Sequence, residues 1–193
     1  MARKQGLKDL YIAKVTVNDG TTYTADTPTK VARAISAKVT PKSSSTLTYS
    51  DDEVEDIISK TTEYDVEFEG DEISPAAQAL MFGHIYENGY LVKSIDDKPN
   101  LVAFGYRSKK TDGKYQFVWL YTGKFEPIEE DNATEEDKVA TQTAKVKGTF
   151  WGRKKDGRAI CEVDESFLLA GDTNAQTAIT DWFAQVQEKS AGV

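Results

Sequence analysis

The chain has 193 residues, of which 39% are hydrophobic and 29% charged, and its formal net charge is −8. This length fits one domain with a substantial hydrophobic core, and the acidic balance argues against a general nucleic-acid-binding protein. One cysteine excludes an intramolecular disulfide. Because no stretch approaches the roughly 18 apolar residues of a membrane span and no secretory signal is recognisable, we expect a soluble protein made in the cytoplasm.

The N-terminal third of the chain predicts an arm followed by three strands. Residues 1–9 are basic and lack periodicity, which favours an arm. A strand is predicted from Tyr11 to Val17, and it returns after a turn at Asp19-Gly20. A third strand is expected from Val31 to Thr40, and it should stop at Pro41, because proline cannot donate to a β-ladder.

Residues 42–60 predict a long polar and acidic loop. Five carboxylates fall within six positions, Asp51, Asp52, Glu53, Glu55 and Asp56. The run lacks the glycine and the spaced ligands of a calcium-binding EF-hand loop. Two interpretations stay open, a solvated surface loop and a loop that becomes ordered against a partner, since loops of this length are often functional or disordered.

Strict alternation follows between residues 64 and 69. Apolar side chains point one way and carboxylates the other, which predicts a half-buried strand with an acidic face. That face consists of Asp65, Glu67 and Glu69. We expect it to form an ordered charged wall.

Two helices are predicted. A short helix over residues 75–82 has Ser74 as its N-cap, Pro75 at its first position and Gly83 at its end. A C-terminal helix over residues 174–188 carries one apolar stripe, and Thr173 with Gln176 forms a capping box in front of it. We expect the second helix to dock on the sheet.

Three Asp-Gly pairs lie between strand-like segments, at Asp19-Gly20, Asp112-Gly113 and Asp156-Gly157. Such pairs are typical of type I′ hairpin turns, in which both central residues have positive φ. The strand from Tyr115 to Tyr121 is apolar on both faces and should be central. The chain therefore predicts a single, mainly β domain over residues 1–193, an antiparallel sandwich or barrel.

Catalytic and metal-binding residues are not recognisable. With His84 as its only histidine, the chain cannot build a histidine-based triad or a multi-histidine metal site, and we expect His84 to act near a helix end. Cys161 is expected to pack as a small hydrophobe. Glu126 with Glu129 or Glu130 could be offered as a glycosidase pair, but 32 acidic residues make such pairs unavoidable. We expect no enzyme activity and no cofactor.

Basic clusters are predicted at hairpin tips facing acidic loops. One is formed by Arg153, Lys154, Lys155 and Arg158. Complementary charged loops on one small domain indicate self-association, so these residues and the carboxylates of residues 51–56 are predicted to make contacts between subunits. Solvated surfaces would explain each run separately.

Several short motifs, taken in order along nearly the whole chain, resemble the major tail proteins of long-tailed bacteriophages. They are Gly6–Leu10, Phe68–Pro75, Gly83-His84, Val118–Phe125 and Lys147–Phe150, with an acidic insert after Phe125. None of these motifs contains recognisable catalytic residues, and the resemblance rests on the order in which they occur. Thr122 stands where the family more often has lysine.

The resemblance implies a structural virion protein of a non-contractile phage tail. Such subunits form rings, typically hexameric, that stack into the tube through which DNA is delivered. Implied partners are further copies of the chain and the terminator, tape-measure and distal tail proteins, and DNA would pass without specific binding. In related tubes a long loop after the early strands, together with terminal arms, reaches neighbouring rings, and that loop would be residues 42–60 here.

If the acidic face of Asp65, Glu67 and Glu69 lined the lumen, it would repel phosphates. Two alternatives are a non-catalytic β-sandwich module that binds carbohydrate or a cell surface, and a hydrolase that uses acidic residues. A binding module would need exposed aromatic side chains, for which Trp151 is the candidate.

Overall fold

The computed structural model describes residues 2–50, 53–128 and 143–189, and for residues 46–50 and 53–58 it describes the backbone. Within these ranges the chain forms eleven strands, two α-helices and one 3₁₀ turn at Glu165–Phe167. The strands are β1 Lys4–Asn18, β2 Tyr23–Ala25, β3 Thr29–Ala32, β4 Ala34–Ser50, β5 Glu53–Gly70, β6 Ile85–Glu87, β7 Tyr90–Val92, β8 Val102–Lys110, β9 Tyr115–Phe125, β10 Ala144–Trp151 and β11 Ile160–Asp164. The helices are α1 Pro75–Phe82 and α2 Thr173–Thr180.

The main sheet is antiparallel and curls back on itself. Its strand order is β2-β1-β8-β9-β10-β5-β4, and β3 pairs with β1. Because only Arg33 separates β3 from β4, the path that leaves β1 through β8 returns to β1 through β4 and β3. The mainly β, antiparallel class expected from the sequence is confirmed.

The inside of this curled sheet holds the larger core. Aromatic rings from four strands meet there, with ring centroids 5.2 Å apart for Phe68 and Phe104 and 5.3 Å apart for Phe125 and Phe150. Helix α1 closes one end of this core with the buried side chains of Ala77, Met81 and Phe82. Burial of this much aromatic and aliphatic surface is the main stabilising contribution to the fold.

Helix α1 has the predicted bounds and the predicted caps. The Ser74 hydroxyl accepts a hydrogen bond from the Ala77 amide at 3.3 Å. Gly83 ends the helix in the left-handed region at φ +77°, and its amide donates to the Ala79 carbonyl. This helix and its caps are confirmed.

A second core lies on the outer face of β1, β8 and β9, under the C-terminal segment. Trp119 and Trp182 are buried there, and the Trp119 indole N–H donates to the Trp182 carbonyl at 3.0 Å. The Tyr121 hydroxyl donates to the Gln187 carbonyl, also at 3.0 Å. Residues 181–189 therefore dock on the sheet through buried hydrogen bonds as well as apolar contact.

The C-terminal helix is shorter than predicted. It ends at Thr180, and the expected capping box is wrong, because Asp172 is the N-cap and Gln176 Nε2 donates to the Leu169 carbonyl. In a helix continuing to residue 188, the carbonyl of Trp182 would accept from a backbone amide four residues on. In this chain the Trp182 carbonyl accepts from the Trp119 side chain instead. Residues 181–188 therefore dock on β9 and do not continue the helix.

Two Asp-Gly pairs form hairpin turns, but not of type I′. The first joins β1 to β2, where the Asp19 carboxylate accepts from the amides of Thr21 and Thr22. In the second, between β8 and β9, the Gly113 amide donates to the Lys110 carbonyl and Gly113 has φ +84°. Neither aspartate has positive φ, and of the two glycines only Gly113 does. The aspartate side chains therefore stabilise both turns, and the left-handed glycine is a feature of the second turn alone.

The third Asp-Gly pair does not reverse the chain between two paired strands. Strand β10 pairs with residues 122–125 of β9, and β11 continues along the same edge of β9 over residues 116–120. Residues 152–159 are a loop between these collinear strands, closed by hydrogen bonds from the Arg153 amide to the Arg158 carbonyl and from the Gly157 amide to the Arg153 carbonyl. The predicted β10–β11 hairpin is therefore wrong.

Two segments expected to be irregular are strands. Residues 4–8 of the predicted arm belong to β1 and pair with residues 107–110 of β8. The described part of the predicted loop 42–60 belongs to β4 and β5, and β4 runs through Pro41 to Ser50. Pro41 is tolerated because β4 is an edge strand, whose outer side needs no donor.

Close packing across β9 and β10 gives the first prediction. A Cβ at Gly123 would come within 2.3 Å of the Phe150 ring, whereas a Cβ at Gly20 would meet nothing within 4 Å. We expect Gly123→Ala to lower the free energy of unfolding by about 1–3 kcal/mol through overpacking. Gly20→Ala should stay within about 0.5 kcal/mol of the parent. Urea denaturation measures both, and equal stability of the two variants would contradict the packing described.

Candidate assembly surfaces

Beyond the part that pairs with β10, the β4–β5 hairpin continues as a two-stranded ribbon. Strand β10 pairs with β5 from Gly70 to Glu63 and stops there. Further out, residues 43–50 pair with residues 53–61, from Ser43 opposite Thr61 to Ser50 opposite Glu53. At about 3.3 Å per residue this ribbon is on the order of 25 Å long. Its described side chains, residues 43–45 and 59–62, are exposed.

The ribbon lies at the end of the sheet opposite α1. Helix α1 follows the end of β5 at Gly70, whereas the ribbon precedes the part of β5 that pairs with β10. Strand β9 runs in the same direction as β5, because both are antiparallel to β10. The β8–β9 turn therefore lies at the ribbon's end of the sheet. We call the two ends the α1 end and the turn end.

Strand β5 presents its carboxylates outward as predicted. Val66 and Phe68 are buried on the inner side, and Asp65, Glu67 and Glu69 lie on the other face. Lysines occupy the neighbouring strands on that face, however. Glu67 lies between Lys147 of β10 and Lys38 of β4.

The lysines balance the acids along this whole face. Lys42 Nζ lies 2.9 Å from an Asp65 oxygen and 3.2 Å from a Glu63 oxygen, and Lys145 lies opposite Glu69. Four acids of β5 thus face four lysines of its neighbours, so the eight charges cancel. The carboxylates share one ordered charged face as expected, but the lysines beside them correct the expectation that this face is acidic overall. We call it the mixed-charge face: Lys38, Lys42, Glu63, Asp65, Glu67, Glu69, Lys145 and Lys147.

Arg153 is buried within the chain, with 1% of its surface exposed. Its Nε and Nη2 donate to the two carboxylate oxygens of Asp156 at 2.8 and 2.7 Å. Nη1 lies 2.9 Å from Glu188 Oε2. The guanidinium lies over the Tyr121 ring, 4.2 Å from its centroid, and 5.1 Å from that of Tyr23.

These contacts make Arg153 an anchor that joins the 152–159 loop, the sheet and the C-terminal segment. The side-chain hydrogen bonds from Arg153 hold the pKa of Asp156 at about 2, below its ordinary value. Desolvation by burial raises the pKa values of Tyr23 and Tyr121. The subunit contact predicted for Arg153 is contradicted, because its guanidinium is enclosed by its own chain.

The other residues of that basic cluster are exposed. The Lys154 amide donates to Asn18 Oδ1 at 2.9 Å, and Lys155 Nζ lies 3.4 Å from Glu188. Arg158 Nε lies 3.4 Å from Asp156. Their assignment to subunit contacts stays a prediction. Of the predicted acidic partners, Asp51 and Asp52 lie outside the described residues, and the side chains of Glu53, Glu55 and Asp56 are likewise not described.

His84 and Cys161 have structural environments. His84 Nδ1 lies 2.6 Å from Asp97 Oδ2, just past the end of α1. Hydrogen bonds from the Ser94 amide and from His84 lower the pKa of Asp97. Burial raises the pKa of the Cys161 thiol, which disfavours the reactive thiolate.

No group of three His, Cys, Asp or Glu side chains within the described ranges is arranged to hold a metal ion. Nor does either helix of that part of the chain have the length and apolarity needed to cross a membrane.

One exposed element was missed in the sequence. Strands β6 and β7 form a separate two-stranded sheet around Asn88-Gly89, whose φ angles of +51° and +83° have the signs of a type I′ turn. The signal was present, since Asn-Gly between Tyr86 and Tyr90 is a strong hairpin pattern. This hairpin has exposed apolar side chains.

Comparison with protein-family models and with curated proteins identified no relative of this chain. The chain matches no protein-family model, and a search of curated proteins found no match. Function must therefore be inferred from the surfaces described above together with the resemblance of the short motifs.

The anchor role of Arg153 gives a stability prediction. Arg153→Ala leaves two carboxylates without their partner and opens space between two tyrosine rings. We expect a loss of about 2–3 kcal/mol, less than the ~3–5 kcal/mol typical of broken buried pairs, because both carboxylates keep some solvent contact. The control Lys154→Ala should change stability by less than about 0.5 kcal/mol. Equal effects of the two substitutions in chemical denaturation would argue against the anchor.

The lowered pKa of Asp156 predicts that the stability of the folded chain depends on pH. Its pKa is lowered from 3.8 to about 2 in the folded chain, so its stabilising contribution is present above pH 4 and is lost as the pH falls towards 2. Asp156→Asn should therefore be less stable than the parent at pH 5, and the gap should narrow between pH 4 and pH 2. Thermal midpoints across that range test this, and a gap that stays constant would be inconsistent with ionised Asp156 as the partner of Arg153.

Proposed function

We propose that this chain is the subunit of a phage tail tube, a structural virion protein that polymerises as stacked, hexameric rings around a channel for DNA. The observation that carries the proposal is the β4–β5 ribbon. A two-stranded ribbon is marginally stable alone in water, and no other strand among residues 2–50, 53–128 and 143–189 pairs with the outer edges of this one beyond Lys42 and Glu63. A second copy of the subunit would pair or cover these edges.

The polar base of the ribbon favours contact with a partner over burial in the core of its own chain. Residues 43–46 read Ser-Ser-Ser-Thr, and residues 59–62 read Ser-Lys-Thr-Thr. These residues form the base of the ribbon, which can bury little apolar area and gains stability mainly through backbone hydrogen bonds and polar contacts. Five apolar residues follow further out, Leu47, Tyr49, Val54, Ile57 and Ile58. Added strands of this kind are a recurrent mode of protein recognition. Position along the chain also agrees with the segment that reaches neighbouring rings in the family that the motifs resemble.

The mixed-charge face suits a channel through which DNA slides. Phosphates bind lysines strongly when the lysines are unpaired and binding releases counterions. On this face Lys42 already contacts Glu63 and Asp65. Under this proposal Asp65, Glu67 and Glu69 face the lumen, and each weakens DNA adhesion because it lies beside lysines whose charge it offsets, without a net negative field.

The proposed setting is the virion tail, after synthesis in the host cytoplasm. Partners are other copies of the chain and the terminator, tape-measure and distal tail proteins, with transient passage of DNA. No catalytic step is proposed. His84 is engaged with Asp97, and the pKa of the Cys161 thiol is raised.

A second candidate is a non-catalytic β-sandwich module that binds carbohydrate or a cell surface. It requires exposed aromatic side chains that form one platform. Trp119 and Trp182 are buried, and Trp151 is only partly exposed. Tyr86 and Tyr90 are exposed but lie on opposite faces of the β6–β7 hairpin, because Tyr90 is opposite Glu87 and Tyr86 opposite Leu91. The tail tube is therefore the better-supported function.

Electron microscopy of the purified protein tests the proposal. We expect concentrated protein, alone or with other tail components, to form rings and hollow tubes in negative stain. Light scattering over the same concentrations should show growing mass. A particle that stays monomeric at every concentration, with no assembly in the presence of tail components, would refute the tail-tube function.

Shortening the ribbon separates assembly from folding. Replacing residues 44–60 with Asn-Gly joins Ser43 to Thr61 through a two-residue turn. Since the ribbon strands pair with each other and not with β10, the thermal midpoint should change by only a few degrees. Tube yield should fall by at least tenfold. Full-length tubes from the shortened chain would remove the ribbon from the assembly mechanism.

The proposed absence of catalysis is tested by single substitutions. We expect Cys161→Ala and His84→Gln to leave tube assembly and infectivity largely unchanged when folding, monitored by circular dichroism, is intact. Loss of infectivity by a well-folded variant would reveal a chemical role for the side chain that was replaced.

A further inference from the structure

Strand β11 has an open outer edge. It pairs with β9 over residues 160–164, and the Tyr121 amide donates to the Ala159 carbonyl in the same register. Because hydrogen bonding alternates along an antiparallel pair, every second residue of β11 points its backbone N–H and C=O away from β9. These residues are Ile160, Glu162 and Asp164. Among the described residues, no strand other than β9 pairs with β11.

A bulge in β5 directs the ribbon away from this edge. Strands β10 and β11 follow one another along the same edge of β9, and β5 pairs with β10 only as far as Glu63. At that point Thr62 is an extra residue, because Glu63 pairs with Lys42 and Thr61 with Ser43. Bulges bend the strand that carries them. Strand β5 therefore leaves the sheet here, and β11 lacks the neighbour that β10 has.

A groove of about 890 Å³ lies along the open edge. One wall is β11 with Cys161 and Val163, and the other is α2 with Asn174, Thr177 and Ala178. An extended strand offers the alternating backbone donors and acceptors that match such an edge, and strand addition is a recurrent mode of protein recognition. The small side chains of α2 leave room beside the edge for the side chains of an added strand.

Charge is unevenly distributed along the groove. At the end where residues 152–159 lead into β11, which we call the loop end, five cations outnumber three carboxylates: Arg153, Lys154, Lys155, Arg158 and Lys189 against Asp19, Asp156 and Glu188. At the turn end, five cations and five carboxylates balance: Arg3, Lys4, Lys109, Lys110 and Lys114 against Asp112, Glu162, Asp164, Glu165 and Asp172. The excess of positive charge is therefore at the loop end.

The ribbon has the opposite charge at its far end. Residues 43–50 contain no charged side chain, and the register places Glu53, Glu55 and Asp56 far from the base. In one chain the ribbon starts beside the loop end at Glu63 and extends in the direction of the turn end, because β5 is antiparallel to β10. Its acidic end is thus on the order of 25 Å from the loop end of the same chain. The ribbon of another copy can bring these opposite charges together.

We propose that β4 in the ribbon of a second copy adds to the open edge of β11, with the acidic end of that ribbon at the loop end. This inference rests on the proposed polymer and names one of its contacts. In this orientation β4 of the second copy is antiparallel to β11, the more stable arrangement of a strand pair. Each copy provides one ribbon and one open edge, so the contact joins different surfaces and propagates from copy to copy.

A proline on the edge tests β11 as the acceptor strand. Glu162→Pro removes a backbone N–H that points away from β9, which an edge strand tolerates, but an added strand loses a donor and meets the proline ring. We expect the critical concentration for assembly to rise about tenfold or more, as measured by sedimentation velocity. Glu162→Ala is the matched control, because it removes the same side chain and keeps the N–H. It should assemble like the parent, and the two variants should have similar thermal midpoints.

Charge reversals test the ribbon as the occupant. Lys154→Glu with Lys155→Glu, and separately Glu53→Lys with Glu55→Lys, should each raise the critical concentration at low salt, and the increase should shrink at high salt. A chain that carries all four reversals again has opposite charges across the contact. This fourfold variant should assemble at a concentration close to that of the parent.

The possible failures are distinguishable. If the parent assembles and a folded Glu162→Pro variant assembles equally well, the β11 contact is refuted while the tail-tube function stands. A fourfold variant that assembles no better than the two separate pairs refutes the ribbon as the occupant, and this result decides the matter if Glu162→Pro does not fold. If the parent itself never assembles, the proposed function and this contact fail together.

Discussion

The requirement to cover β9 on both faces determines most of this structure. Along β9, Val118 and Leu120 point into the curled sheet, while Phe117, Trp119 and Tyr121 point to its other side. A strand that is apolar on both sides cannot face water. The inner face is covered by the curl of the sheet and by α1, and the outer face by the C-terminal segment. The central position expected for this strand is confirmed.

Arg153 covers the end of the outer face of β9, where Tyr121 lies. The outer face of β9 ends in a tyrosine, and Tyr121 needs a partner for its hydroxyl and a surface for its ring. Gln187 accepts from the hydroxyl, and the Arg153 guanidinium covers the ring. The 152–159 loop that carries Arg153 can leave the sheet at this point because β10 and β11 use the same edge of β9. One buried cation thereby holds together chain segments that are distant in sequence.

Local sequence signals were sufficient where a segment makes its own structure. The caps of α1, the alternation in β5 and the turns near Gly20 and Gly113 all depend on residues a few positions apart. Local patterns gave wrong predictions where contacts with a segment distant in sequence determine the secondary structure. Residues 4–8 are a strand because they pair with β8. The last predicted turns of the C-terminal helix do not form, because the Trp182 carbonyl accepts a hydrogen bond from the Trp119 indole. Burial of Arg153 requires Glu188, which no local pattern indicates.

The same limit applies to the candidate surfaces. The acidic face of β5 was visible as alternation, but its lysine neighbours belong to strands fixed only by sheet order. Likewise, the run of serines at residues 43–45 and the carboxylates of residues 51–56 favoured a loop over a strand. The segment forms the ribbon because each strand provides the other with hydrogen-bond partners. The register of Ser43 opposite Thr61 is a property of the pair.

An exposed two-stranded ribbon also bears on the tendency of the chain to aggregate. Open edges are templates for indiscriminate pairing, and long hydrophobic ones lead to aggregates. Here the strands near Ser44 and Lys60 are polar, and the chain carries five carboxylates between positions 51 and 56. Charges and polar residues of this kind act as gatekeepers against amyloid-like stacking. The polar residues at the base of the ribbon and the carboxylates of residues 51–56 thus disfavour indiscriminate pairing between chains.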